Sequence, residues 1–355
     1  MTADKPLRLL IVDDSAYNRR LIQGLFAGRS DVTVVGAAAD GEEAIRLSSS
    51  LEPDVITLDL EMPKMDGFTA LRILLAKRQV PIIVVSSYAQ RENVFKALEL
   101  GAIDFVTKAT STIDANAEDL KREILQKVLA VRGAPFRADS RRPSQRRLSD
   151  DSGRLPSSEM KVAVAAVPKR VIVIASSTGG PTALLELVGA LPKDFPHALL
   201  VAQHMPEKFT RTFAERLGRR GALRGAEAED RMRVHAASVL VCPGGYSMEI
   251  LRDAGELFVR VARPLPSDRY VPSGDRLLSS AAVAFGKDAV GVVLTGMGDD
   301  GLVGARRIRE AGGLIVAEAE ETAVVYGMPG AVVAEKLANL ELPLPKIADF
   351  LATLR

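Results

Sequence analysis

The stretch LRLLIVDDS (residues 7–15) decides the reading of the amino-terminal third of the chain. A nearly unbroken apolar run ends abruptly in two carboxylates and a serine, the pattern of a strand buried on both faces. Four more such runs follow: VTVVGAA (32–38), VITLDL (55–60), PIIVVSS (81–87) and DFVT (104–107). Between them lie helical patterns such as SAYNRRLIQGLF, GFTALRILLAK and RENVFKALEL. This alternation predicts a five-stranded parallel sheet, doubly wound with helices on both faces, whose ligands bind outside the carboxyl ends of the strands.

The polar residues at those ends are Asp13 and Asp14 after the first strand, Asp59 in the third, Ser86 after the fourth and Lys108 after the fifth. Three carboxylates on one edge repel each other unless a cation sits among them. An all-oxygen donor set suits Mg²⁺, which takes phosphate as a co-ligand. An aspartate is a competent phosphoryl acceptor, Lys108 can neutralise phosphoryl oxygens, and Ser86 can hydrogen-bond one. Each residue alone has a plainer reading: Asp14 as a helix cap, Lys108 as a solvated end, Ser86 as a turn residue. Their joint placement at strand ends favours the chemistry.

Through LLIVDDS, LDLEMPKMDG, VVSS and DFVTK, residues 1–130 resemble the receiver domain of two-component response regulators. The resemblance implies a flavodoxin-like fold and an Asp59 that accepts phosphate from a histidine kinase. It implies Mg²⁺ held by Asp14, Asp59 and the backbone carbonyl of Glu61, with Asp13 assisting. Ser86, Phe105 and Lys108 are then the switch residues. Receivers usually follow that lysine with proline, whereas here Ala109 stands.

A length of 355 residues points to two domains. A single cysteine, Cys242, excludes a disulfide framework and a cysteine-built zinc site. No apolar run reaches the roughly 18 residues of a membrane span, and the start lacks a signal-peptide core. The expectation is a cytoplasmic protein without membrane insertion. Residues 1–130 carry a net −3, residues 131–170 a net +6 and residues 171–355 a net −1. The middle stretch also holds Pro135, Pro143, Pro156 and Pro168 with six serines. Residues 131–167 therefore read as a basic Pro/Ser-rich tether between a 1–130 unit and a 168–355 unit. Its arginine pairs, Arg141-Arg142 and Arg146-Arg147, lack interleaved aromatics, so a solvated linker is favoured over a nucleic-acid contact.

In the second unit, the strand KRVIVIAS runs into SSTGGP and then the helical pattern PTALLELVGAL. A serine at such a strand–turn–helix corner is exposed beside free N–H groups, the logic of a nucleophile elbow, although the G-x-S-x-G spacing is absent. Helix-start chemistry or a phosphate cradle also fits this loop. Strand ALLVAQ (198–203) delivers His204, the only one of three histidines at the carboxyl end of a predicted strand. Strand AVGVVLT (289–295) delivers GMGDDG with Asp299 and Asp300. A serine needs a base and the base needs a carboxylate, so Ser, His and Asp at three strand ends suggest a triad. A competing reading is the dinucleotide fingerprint G-x-G-x-x-G at Gly296–Gly301, with Glu318 as the ribose acid. Two aspartates where a pyrophosphate should sit argue against it.

Residues from about 168 onward resemble the catalytic domain of the chemotaxis protein-glutamate methylesterases, through IASSTGGP, AQHMPEKFTRTFAERL, VCPGG, VGVVLTGMGDDG and YGMPGAV. That resemblance implies a mostly parallel α/β esterase domain needing no cofactor. Ser177 is then the nucleophile, His204 its base and Asp300 the orienting acid. Thr178 and the Met297 N–H lie near the oxyanion, and Ser176 is a bystander. The implied reaction is hydrolysis of glutamate γ-methyl esters on a methylated chemoreceptor; the family is also credited with deamidating receptor glutamines. Three departures mark the segment: Ser247 where a histidine is expected, RYVPSGDRLLSS (269–280) in place of the usual proline-serine-valine-aspartate string, and Asp299 where asparagine is more usual. They leave room for a paralogue serving a non-flagellar receptor array. A DNA-binding regulator lacks its basic face and helix-turn-helix pattern. A catalytically dead docking module is at odds with an intact set of three triad residues.

Overall fold

The structure, a computed structural model, describes residues 5–87, 91–108, 114–132 and 167–354. Most of the predicted tether, and Ala109, lie outside the described residues.

The first sheet is parallel, in the order β2-β1-β3-β4-β5. Its strands are β1 (Leu7–Val12), β2 (Val32–Ala38), β3 (Val55–Leu58), β4 (Ile82–Ser87) and β5 (Asp104–Lys108), close to the sequence reading. All four residues of β3 are buried, as expected of a central strand covered on both faces. The intervening helices start on side-chain caps. Ser15 caps α1 (Ala16–Phe26), Asp40 caps α2 (Gly41–Leu51) and Asp66 caps α3 (Gly67–Lys77). Because Ser15 takes the capping position, Asp14 is released from the plain role the sequence offered for it.

The second sheet has seven strands in the order β14-β13-β12-β6-β7-β9-β8, all parallel. Its centre is β6 (Val171–Ser176), flanked by β12 (Val290–Val293) and β7 (Ala198–Gln203). Beyond β12 lie β13 (Leu314–Glu318) and β14 (Leu340–Leu342); beyond β7 lie β9 (Ser238–Val241) and β8 (Arg224–Glu227). An antiparallel hairpin, β10 (Ser247–Asp253) with β11 (Glu256–Ala262), stands apart and packs against α8 (Gly274–Phe285). Ser247 sits fully buried at its start, and its hydroxyl has no hydrogen-bond partner among the described residues.

The two halves meet through aromatics. Phe95 on α4 (Arg91–Glu99) stacks on Phe213 of α7 (Thr210–Arg220), with centroids 5.8 Å apart and planes 9° from parallel. Phe105 on β5 lies 4.8 Å from Phe209, and all four rings are buried. Arg216 of α7 reaches across this cluster to Glu92 at 2.5 Å and Glu99 at 2.6 Å. Each aromatic pair adds about 0.5–1.5 kcal/mol beyond area burial, whereas the partly exposed ion pairs chiefly fix register.

Candidate active site

Three adjacent strands of the second sheet deliver Ser177, His204 and Asp300. Ser177 directly follows β6, His204 directly follows β7, and Asp300 lies on the turn after β12. The Ser177 Oγ is 3.1 Å from His204 Nδ1, and His204 Nε2 is 2.7 Å from Asp300 Oδ2. The ring is therefore used in the reverse sense to serine proteases, where Nε2 faces the serine. With Asp300 accepting the Nε2 proton, Nδ1 turns its lone pair to the hydroxyl.

Asp300 is 1% exposed, and its carboxylate accepts three backbone N–H groups. These come from Gly274 (2.7 Å), Asp275 (2.9 Å) and Gly301 (3.1 Å). Two of them are the first N–H groups of α8, which the Ser273 hydroxyl caps. The positive end of the helix thus faces the acid. The 269–280 departure is consequently the cradle of the Asp300 carboxylate. Its sequence signal was Ser273-Gly274-Asp275, a helix-start pattern preceded by proline.

Ser176 has a structural role. It is fully buried, and its hydroxyl donates to Gln203 Oε1 at 2.7 Å. Gln203 Nε2 then donates to the carbonyls of Ser177 and His204, both at 2.9 Å, tying the Ser177 corner to the His204 corner. Gln203 lies within the segment AQHMPEKFTRTFAERL, and its place at the end of a strand beside the serine corner gives it its role. Ser176→Ala strands a buried amide oxygen, at a cost of about 1–3 kcal/mol. It is expected to lower the denaturation midpoint visibly while leaving most of the hydrolytic rate, read by chemical unfolding and an esterase assay on the same preparation.

The turn 295–301 closes over the serine. A Cβ built on Gly296 would stand 2.8 Å from the Ser177 Cβ, so the backbone lies directly against Ser177. Among the described residues, the neighbouring Met297 N–H donates to no acceptor. Thr178 is buried, and its carbonyl accepts from Thr295 Oγ1 at 2.9 Å. Glu318 is fully buried and accepts the Thr295 N–H at 2.8 Å. The residues of the dinucleotide pattern are thus used to build this turn: Glu318 backs it and Asp300 faces the histidine.

On the first sheet, ligand oxygens of Asp13, Asp14 and Asp59 lie within 4.8 Å of one another, with Asp14 exposed and the other two buried. Lys108 sits among them, 2.9 Å from Asp13 and 2.5 Å from Asp59. Burial pushes the Asp59 carboxyl above the usual carboxylate range, and Lys108 opposes that shift. Burial alone would lower Lys108, but Asp59 and Asp13 outweigh it and hold the ammonium charged. A hard cation fits this set: two inward carboxylates share one lysine, and a third is left to solvent. Glu61 follows two residues after Asp59, its N–H on the Asp59 carboxylate at 3.3 Å. Ser86 on β4 is fully buried, and Phe105 is buried against the second domain.

Residues 172–351 match the family described as CheB methylesterase, and residues 9–117 match the response regulator receiver domain. The chain belongs to the CheB methylesterase family. It is 45% identical to protein-glutamate methylesterase/protein-glutamine glutaminase 3 of Geobacter sulfurreducens, over 95% of each chain. To the correspondingly named protein 1 of Myxococcus xanthus it is 42% identical, over 100% of this chain and 99% of the other. The catalytic domain of Thermotoga maritima CheB methylesterase superposes with a TM-score of 0.52 at 38% identity, covering 53% of this chain and all of that one. Within this family the protein combines a receiver with an ester-hydrolysing enzyme. No helix among the described residues is long and apolar enough to cross a membrane.

Proposed function

We propose that the protein hydrolyses glutamate γ-methyl esters on a chemoreceptor, and deamidates receptor glutamines, by a Ser177–His204–Asp300 mechanism under control of Asp59 phosphorylation. The observation that carries this reading is His204 bridging Ser177 and Asp300. Ser177 Oγ attacks the ester carbonyl as its proton passes to His204 Nδ1. The tetrahedral oxyanion forms beside the Met297 N–H and Thr178; one such donor is worth about 3–4 kcal/mol of barrier. Collapse breaks the bond to the methoxy oxygen, which leaves as methanol with the proton from His204. Water, deprotonated by the same nitrogen, then releases the carboxylate from the acyl-serine. With a glutamine the leaving group is ammonia. Asp300 keeps the Nε2 proton in place and balances the imidazolium in both halves.

On the receiver, Asp59 takes phosphate from a histidine kinase; Asp13, Asp14, Asp59 and the Glu61 carbonyl would hold Mg²⁺, which would supply positive charge to shield phosphoryl oxygens. Lys108 pairs with phosphoryl oxygens, and Ser86 and Phe105 relay the change. Support for a coupled switch comes from the aromatic seam. Phe105 belongs both to the switch strand and to the contact with Phe209. Val324 and Val325, near the nucleophile turn, share an apolar cluster with receiver residues, and Met297 packs against it. The unphosphorylated receiver thus restrains the rim of the esterase site. Methanol release from methylated receptor membranes of the same organism tests the activity.

A fragment starting near Val162 should hydrolyse methylated receptor faster than the unphosphorylated full chain. Coupling of ~1–3 kcal/mol corresponds to a several-fold to hundred-fold difference. A small-molecule phosphodonor should accelerate the full chain and leave the fragment unchanged. Equal rates for fragment and unphosphorylated chain would remove inhibition from the receiver's role.

A further inference from the structure

The segment between β11 and α8 carries a tyrosine that the mechanism above does not use. Tyr270 lies flat against the catalytic imidazole, with ring centroids 5.2 Å apart and planes 11° from parallel. Its hydroxyl donates to Asp299 Oδ1 at 2.9 Å, and the second oxygen of Asp299 takes Arg269 Nη1 at 3.2 Å. The Arg269 guanidinium carbon stands 5.4 Å from the Tyr270 ring centroid. Gly298, at φ +87°, completes the fit: the phenol oxygen occupies the space a Cβ there would need. A side chain at Gly298 would collide with Tyr270 as well as adopt a backbone that only glycine tolerates readily.

We infer that Tyr270 is a positioning residue for the catalytic base, held over His204 by Asp299. This rests on the triad reading given above. A histidine ring turns about a broad two-fold torsion, and one hydrogen bond from Nε2 to Asp300 fixes a corner of it without fixing its plane. The stack fixes the plane, so that Nδ1 stays aimed at Ser177. Adjacent carboxylates divide the work: Asp300 holds the edge of the imidazole, and Asp299 holds its face through the phenol. When the ring becomes imidazolium, the aromatic face also attracts the charge, an interaction absent from the ground state. Burial, followed by the Asp299 hydrogen bond, raises the phenol above its ordinary acidity range, which keeps the donating proton on Tyr270.

The test uses the full-length protein and an alkyl fluorophosphonate. Ser177 Oγ forms a bond to phosphorus, fluoride leaves, and the serine proton passes to His204, so the rate reads activation of the nucleophile independently of any receptor. Tyr270→Leu keeps bulk and loses the aromatic face; Tyr270→Phe keeps the face and loses the anchor. The maximal labelling rate should fall about tenfold in Tyr270→Leu, the scale of one aromatic pair, with the half-saturating probe concentration within about twofold. Tyr270→Phe should recover most of the rate. Parent-like labelling in Tyr270→Leu overturns the proposal, and so does Tyr270→Phe as slow as Tyr270→Leu. An unlabelled parent would instead sink the serine-hydrolase reading. A second variant, Asp299→Ala, removes the same anchor and should match Tyr270→Phe, a little below the parent; parent-like rates in both overturn the role given to Asp299.

Discussion

Ser177→Ala is expected to abolish ester hydrolysis, with a loss on the order of 10⁴–10⁶-fold in kcat. Among the described residues, Ser177 Oγ is the hydroxyl hydrogen-bonded to the His204 ring. The neighbouring hydroxyl, Ser176, is buried and committed to Gln203. Removing a half-exposed hydroxyl at a strand end strands no buried partner, since the Ser177 backbone N–H still donates to Thr295 O at 3.0 Å. Folding and receiver phosphorylation should therefore be unchanged, as thermal unfolding and phosphodonor labelling would report. The check is methanol release from methylated receptor, compared with Ser176→Ala. If Ser176→Ala were dead and Ser177→Ala active, the nucleophile would have to be reassigned.

Asp59→Asn is expected to eliminate phosphate uptake from a small-molecule donor. The amide is a poor nucleophile, and it removes one of two negative charges facing Lys108. With one carboxylate fewer, the site also loses affinity for a hard cation. Loss of Mg²⁺-dependent labelling with basal esterase activity retained is the predicted pair of results. Persistent labelling would move the acceptor to Asp13 or Asp14, the other carboxylates of the cluster. In the same variant a phosphodonor should no longer accelerate hydrolysis.

Much of this architecture was legible because parallel strands buried on both faces write themselves as apolar runs that stop at a polar residue. LRLLIV and ALLVAQ coincide with β1 and β7 to the residue. For the same reason, Ser177, His204 and Asp300 could be placed at strand ends before their distances were known. The short or edge strands were not legible. RGAE and LEL, the strands β8 and β14, have only exposed or partly buried residues and no distinctive pattern. The hairpin β10–β11 was missed as well, because its burial comes from packing against α8 rather than from its own sheet.

The family resemblance picked Ser177 over Ser176 and Asp300 over Asp299; by itself the sequence determined the two parallel sheets and the strand ends that carry chemistry, the acidic cluster included. Local pattern suffices there, because strand burial and strand termination are properties of consecutive residues. Which nitrogen of His204 faces Ser177, what holds Asp300, and why Ser176 and Gln203 matter were decided only by the tertiary structure. So were the stack of Tyr270 on the imidazole and the aromatic seam between the halves. Each of these joins residues tens to more than a hundred positions apart, such as Phe105 and Phe209. Their partners are set by strand order and helix packing, and no window of sequence contains them.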